Sequence, residues 1–158
     1  MDLSEQMIKI GQSKNLACLE GLFVGDAEAL PFPNGTFDSV VCCYVPKYVD
    51  RAKFAREVAR VLRAGGKVVS YDFVRPAGPF SPLLRLYLHG LMPIAAYVLG
   101  LVGSETATTF RNLPHIVEEA RWNEGIAKAF GEEGVQALVS KTLSGGVVGV
   151  FSGRKELR

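Results

Sequence analysis

The sequence predicts an α/β domain whose sheet is mainly parallel, with helices on both faces and an antiparallel hairpin at its C-terminal end. Three observations carry this. Apolar runs of strand length alternate with segments of helical spacing. The pair Gly65–Gly66 divides a helix pattern from a strand pattern, and the last apolar stretch doubles back around Ser144, Gly145 and Gly146. With 158 residues and 48% hydrophobic content, the chain suits a single domain with a substantial core.

Taken in order, Ser4 can cap a short amphipathic helix reaching about Lys14, with Met7, Ile8 and Ile10 as its apolar positions. Leu22 to Val24 reads as a compact strand ending at Gly25, and the polar, proline-bearing stretch 26–35 as a loop. Phe37 to Val45 contains the run Val40 to Tyr44, continuous enough for a parallel strand buried on both faces. Asp50 is a good N-cap for a helix with Phe54, Val58, Val61 and Leu62 on one side and Arg56, Arg60 and Arg63 on a solvated one. After the glycine pair, Lys67 to Phe73 resumes as a strand. Pro76 to Pro82 breaks the chain before a long apolar region, Leu83 to Val102. Pro93 is expected to divide that region into two helical pieces, so it does not read as a clean membrane span. A helix over Pro114 to Phe130 and a hairpin of Val135 to Leu143 with Val147 to Phe151 complete the order.

Several function classes find no support. The net charge of +2, from 18 basic and 16 acidic residues spread along the chain, gives no field suited to nucleic acid. Cys18, Cys42 and Cys43 cannot all pair, and the last two sit in an apolar run, which fits a reducing cytosol. No secretory signal pattern opens the chain. No Cys/His ligand spacing and no serine elbow points to a metal site or a nucleophilic hydrolase.

Four segments together resemble the class I S-adenosylmethionine-dependent methyltransferases, and in detail the demethylmenaquinone and ubiquinone-pathway C-methyltransferases. They are Asp2 to Met7, Gly25-Asp26-Ala27-Glu28-Ala29-Leu30-Pro31-Phe32-Pro33, the span from Phe37-Asp38 through Arg60-Val61-Leu62-Arg63-Ala64-Gly65-Gly66, and Leu143-Ser144-Gly145-Gly146-Val147-Val148 with Gly153-Arg154-Lys155. The resemblance implies a Rossmann-like sheet and S-adenosylmethionine as cofactor. It gives Asp2 the ribose hydroxyls, Asp26 and the following amide of Ala27 the adenine edge, and Cys43 the wall of the cofactor pocket. It also implies a lipophilic small-molecule acceptor, a polyprenyl quinol, beneath a helical cap at about 80–113. Phe80, Tyr87, Tyr97 and Phe110 would line a lipid-tail pocket there or fill core.

Two departures from the family pattern stand out. Val45-Pro46-Lys47-Tyr48 replaces a segment associated with substrate activation, which leaves open another lipid or small-molecule acceptor. The first strand and the glycine-rich loop are lacking, since the resemblance begins after them. In the implied strand order 3-2-1-4-5-7-6 that strand is central, so Val40 to Tyr44 would present an open edge. Sequence encoded upstream, pairing of strand three with strand four, or a homodimer would cover it. The chain by itself is then expected to bind the cofactor weakly, and a non-catalytic subunit of a split methyltransferase is a further reading.

Methylating a ring carbon is assisted by removing a phenolic proton, so the site needs a group that handles protons. Lys47 and Tyr48, just past the fourth family strand, and Asp72, at the end of the fifth, are the candidates by position, ahead of His89 and His115. A cytoplasmic protein with peripheral membrane contact is the expected setting.

Overall fold

The computed structural model describes residues 1–157 apart from Leu16, Cys18, Phe80, 102–105 and Gly145. The readings that fall on Cys18, Phe80 and Gly145 lie outside the described residues. Strands β1 (Phe37–Cys43), β2 (Leu62–Phe73), β3 (Val135–Leu143) and β4 (Val148–Lys155) form one sheet in the order β1-β2-β4-β3. β1 and β2 run parallel, while β4 pairs antiparallel with both β2 and β3. This is the 4-5-7-6 portion of the implied family order, with the expected terminal hairpin.

The helices are α1 (Glu5–Ser13), α2 (Arg51–Val61), α3 (Ser81–Leu86), α4 (Met92–Leu101), α5 (Thr106–Glu119) and α6 (Ile126–Glu132). Both sequence-predicted caps are present. Ser4 Oγ accepts from the amide of Met7, and Asp50 Oδ1 accepts from Ala52 and Lys53 at 3.0 Å each. α2 lays Phe54, Ala55, Val58 and Ala59 against the sheet, where they meet Val68, Ile126, Phe130 and Phe151 in the main core.

Five expectations about local structure are corrected. First, the strand expected over Leu22 to Val24 is only a bridge. Val24 pairs in parallel with Asp2, through Asp2 N–H to Phe23 O and Gly25 N–H to Asp2 O, each 3.1 Å. It therefore does not pair with β1, whose outer edge has no partner among the described residues, and Val41 there is 67% exposed. Second, α2 stops at Val61 and β2 begins at Leu62, well before Lys67. The glycine pair lies in a bulge between the pairs Phe37↔Leu62 and Ser39↔Lys67. Gly65 has φ +74°, and a Cβ on Gly66 would lie 2.9 Å from Arg63 O and 3.1 Å from Asp38 O, so only glycines let the backbone fold back so tightly.

Third, Pro93 does not divide the apolar region. The chain widens into a π-helical turn at Tyr87–Leu91 and continues, giving one 21-residue helix from Ser81 to Leu101. A π turn shifts the hydrogen-bond register ahead of a residue that has no amide hydrogen to donate, which lets the helix absorb the proline. That helix is long and apolar enough by composition to cross a membrane, although 17% of its most apolar window is buried against the protein. Fourth, Pro114 lies inside α5, and the helix expected over 114–130 is broken between Glu119 and Ile126. The break is held by tertiary bonds: Arg75 N–H to Ala120 O, Trp122 Nε1 to Phe73 O at 2.8 Å, and Arg51 Nη1 to Glu124 O at 2.6 Å.

Fifth, the arginine face of α2 is not uniformly solvated. Arg60 donates to Phe32 O (2.7 Å), Leu30 O (2.9 Å), Asn34 Oδ1 (3.0 Å) and the carboxylate of Glu57, and so clamps the 26–35 loop to α2. The guanidinium in turn holds the Glu57 carboxyl below its ordinary range.

Candidate functional site

The site is built where the carboxyl ends of β1 and β2 meet the 26–35 loop. Asp26 opens this loop with an Asx-type turn, its Oδ1 accepting from Glu28 N–H at 2.8 Å. The turn is fastened to the N-terminus of α2 twice over. Glu28 Oε1 accepts from Asp50 N–H at 2.8 Å and Oε2 pairs with Lys53 at 3.2 Å, while Leu30 N–H donates to Glu57 at 2.8 Å. Ala27 packs half-buried on the main core, and its amide finds no acceptor among the described residues.

Asp2 arrives from the other side. Its carbonyl takes the amide of Gly25, the residue before Asp26, so the two acids implied to read an adenosine are neighbours across one parallel bridge. Asp2 Oδ1 accepts from Ser4 N–H at 2.8 Å, which fixes the turn into α1. Both acids are exposed. Asp2 and Asp26 offer carboxylate oxygens as acceptors here, and the Ala27 amide is a donor without an acceptor among the described residues.

Cys43 ends β1 and is exposed at the same end. Its neighbour Cys42 points to the core, where burial, with a smaller effect of Cys43, pushes its thiol up to about 12, leaving it an inert filler.

Lys47, Tyr48 and Asp72, 25 residues apart at the extremes, come together. Lys47 Nζ lies 2.6 Å from Asp72 Oδ1, with the two side chains 7% and 0% exposed. The carboxylate also accepts from Phe73 N–H at 2.7 Å and, through Oδ2, from Lys47 N–H at 3.3 Å. The ammonium bonds Tyr44 O at 3.4 Å and sits 4.5 Å from the Tyr48 ring centroid and 5.4 Å from that of Tyr44. Asp72 is thus engaged at both oxygens, and the pair pins the loop after β1 to the end of β2. The Tyr48 side chain faces solvent.

Sequence reasoning missed Tyr44 and Tyr71. Tyr44 takes φ +61°, a left-handed conformation that non-glycine residues seldom adopt, and this turns its ring out of the strand. It then meets Tyr71 edge-on at 5.6 Å and Phe73 at 5.5 Å. The hydrogen bond with Tyr71, with smaller effects of desolvation and of neighbouring acidic groups, holds the Tyr44 phenol above its ordinary value. The only signal in the sequence was a pair of tyrosines at the ends of two strands expected to pair. The histidines lie elsewhere, His89 3.5 Å from Glu118 and His115 3.4 Å from Glu119. A cavity of about 410 Å³ bordered by Asn34, Arg60, Leu62 and Lys155 lies where β2 starts, at the opposite end of the sheet from these groups.

A parallel strand pair with an acidic turn at its carboxyl ends, extended by a reversed hairpin, defines the class I methyltransferase architecture. Residues 1–70 match the family described as a methyltransferase domain. The demethylmenaquinone methyltransferase of Lysinibacillus sphaericus is 30% identical over 100% of this chain and 67% of its own length. That of Desulfitobacterium hafniense is 32% identical over 98% of this chain and 62% of its own length. Among solved structures, a SAM-dependent methyltransferase from Methanosarcina mazei superposes with TM-score 0.60 at 15% identity, covering 99% of this chain and 81% of that one. The YcgJ protein of Bacillus subtilis gives 0.56 at 18% identity, covering 98% and 80%. The chain belongs to the S-adenosylmethionine-dependent methyltransferases, in the family of the demethylmenaquinone and ubiquinone C-methyltransferases. It spans 62% of the D. hafniense relative, so part of the length of such proteins has no counterpart here.

Proposed function

We propose that this chain supplies the adenosine-reading and acceptor-facing portion of a C-methyltransferase acting on a polyprenyl quinol. The observation that supports the reading is the bridge of Asp2 with Val24, which brings the Asp2 backbone alongside the segment that leads into Asp26 and Ala27. Asp2 would hold the ribose, Asp26 and Ala27 the adenine, and Cys43 the pocket wall.

S-adenosylmethionine, when bound, supplies an electrophilic methyl group, so the protein's task is alignment, exclusion of water and handling of one acceptor proton. Lys47 would offer an N–H of its ammonium to the acceptor oxygen, and Asp72 fixes that ammonium in place. Tyr48 faces outward on the same loop and would accept or relay the proton. The helices over about 80–113 would cover the acceptor's apolar tail. In this reading the protein is cytoplasmic and meets its acceptor peripherally at a membrane, and a second copy is one means of covering the open edge of β1.

Deleting the gene and profiling cellular quinones tests this. The demethylated quinone is expected to replace nearly all of the methylated form, and an unchanged profile would reject the quinol as acceptor. The departure at Val45 to Tyr48 favours one second reading, methyl transfer to another lipid or small molecule, which the same unchanged profile would support.

A further inference from the structure

The Ser81–Leu101 helix is two-sided in an unusual way. Its inner side, Leu88, Met92 and Ala96 at helical spacing, is buried, and the first two pack with Val117 and the half-buried Phe110 and Leu113. Its outer side is apolar as well. Leu83, Leu86, Leu91, Ile94, Tyr97 and Leu101 recur at three- to five-residue intervals, the five-residue step falling at the π turn, and each is more than half exposed. At about 1.5 Å per residue the stripe runs about 27 Å, far more than the scattered exposed apolar residues of an ordinary surface. The helix carries no carboxylate, and Arg85 is its only permanent charge.

Beside this stripe the charges are lopsided. Arg75 Nε, Arg85 Nε and His89 Nε2 all lean on one carboxylate, that of Glu118, at 3.5, 3.3 and 3.5 Å. Two guanidiniums and an imidazole share a single negative charge, which leaves the cluster positive and half-open to solvent.

We propose that the Ser81–Leu101 helix is an in-plane membrane anchor that seats its apolar stripe in an anionic bilayer surface, with Arg75, Arg85 and His89 against the lipid phosphates. The complementarity of the charges selects a lipid surface over a second copy of this chain, whose own positive cluster would be brought near in a symmetric pairing. Length alone would permit crossing, but α5 is packed along the inner side and would carry Arg111, His115, Glu118 and Glu119 into the hydrocarbon. A helix whose other face is packed on a folded domain lies in the interface instead, with tyrosines such as Tyr97 at the headgroup level. The proposal rests on the lipophilic-acceptor reading for why a bilayer is met at all, and on the helix geometry for how.

Flotation of the full chain with phosphatidylcholine vesicles, with and without phosphatidylglycerol, tests it. The chain is expected to float with the anionic vesicles about tenfold more than with the neutral ones, and less at high salt. Leu91→Asp with Ile94→Asp, solvent-facing changes whose folding is checked by circular dichroism, should abolish flotation, and Arg85→Glu should remove the anionic preference. No flotation, undiminished flotation of the double aspartate variant, or a dimer that buries the stripe without flotation would each overturn the proposal. Flotation that persists while the quinone profile is unaffected by gene deletion would count against the quinol reading alone.

Discussion

Replacing Asp72 by leucine is expected to destabilise the fold by about 3–5 kcal/mol. The change strands the Lys47 ammonium at 7% exposure with a long bond to Tyr44 O and three aromatic rings as its remaining company. Rings and one carbonyl do not replace a carboxylate at 2.6 Å. Lys47→Met leaves the converse problem, a fully buried carboxylate that retains only its backbone donors. Removing both charges together, Lys47→Met with Asp72→Leu, should recover stability to within about 1 kcal/mol of the parent, because neither charge is then left alone. Urea denaturation of the four proteins measures this. Additive losses in the double variant would show that the two side chains do not act on each other as the geometry requires.

The second large effect is expected at Phe130. Its ring is fully buried, stacks on Phe151 at 4.9 Å with planes 14° apart, and meets Phe54 edge-on at 5.9 Å. It joins α6 to both α2 and β4, so truncation to alanine opens a cavity shared by three elements that cannot collapse independently. A loss of about 3–5 kcal/mol follows, enough to unfold a domain of ordinary stability in part. Phe23→Ala, at a half-exposed ring, should stay within about 0.5 kcal/mol as the control. Equal losses at the two positions would contradict this assignment of the core.

Much of this was legible in the sequence, and the parts that were not share a cause. Ser4 and Asp50 were readable as caps because an N-cap depends on a side chain and the two or three residues after it. The β1 run and the closing hairpin were readable because strand periodicity and turn residues are equally local. Pro93 misled because the same residue can end a helix or be absorbed by a π turn, and what decides is the packing of Leu88 and Met92 on Val117. The break after Glu119 was invisible because Trp122 and Arg51 impose it from elsewhere in the fold. Leu22 to Val24 had the composition of a strand, but a strand needs a neighbour, and among the described residues only Asp2 pairs with it.

The site divides in the same way. Asp2, Asp26, Ala27 and Cys43 came from the family resemblance, and the first three converge through a bridge and a turn. Lys47, Tyr48 and Asp72 are marked in the sequence only by their position at strand ends, and nothing there signals that Lys47 spends its charge on Asp72. Tyr44 escaped notice because positive φ at a tyrosine has no sequence signature, unlike the same conformation at Gly65. Arg60 was read as surface, since nothing nearby in the chain hints at the carbonyls of Leu30 and Phe32 that it collects.

The loop at Asp26 is proposed as the place where an adenosine is held. Titrating S-adenosylhomocysteine to millimolar concentration into nitrogen-15-labelled protein, followed by amide chemical shifts, addresses that directly. The amides of Asp26 to Leu30, with Asp2 and Cys43, should move, and Asp26→Ala should silence them while leaving the rest of the spectrum in place. Shifts confined to other parts of the sheet, or none at these residues, would contradict it.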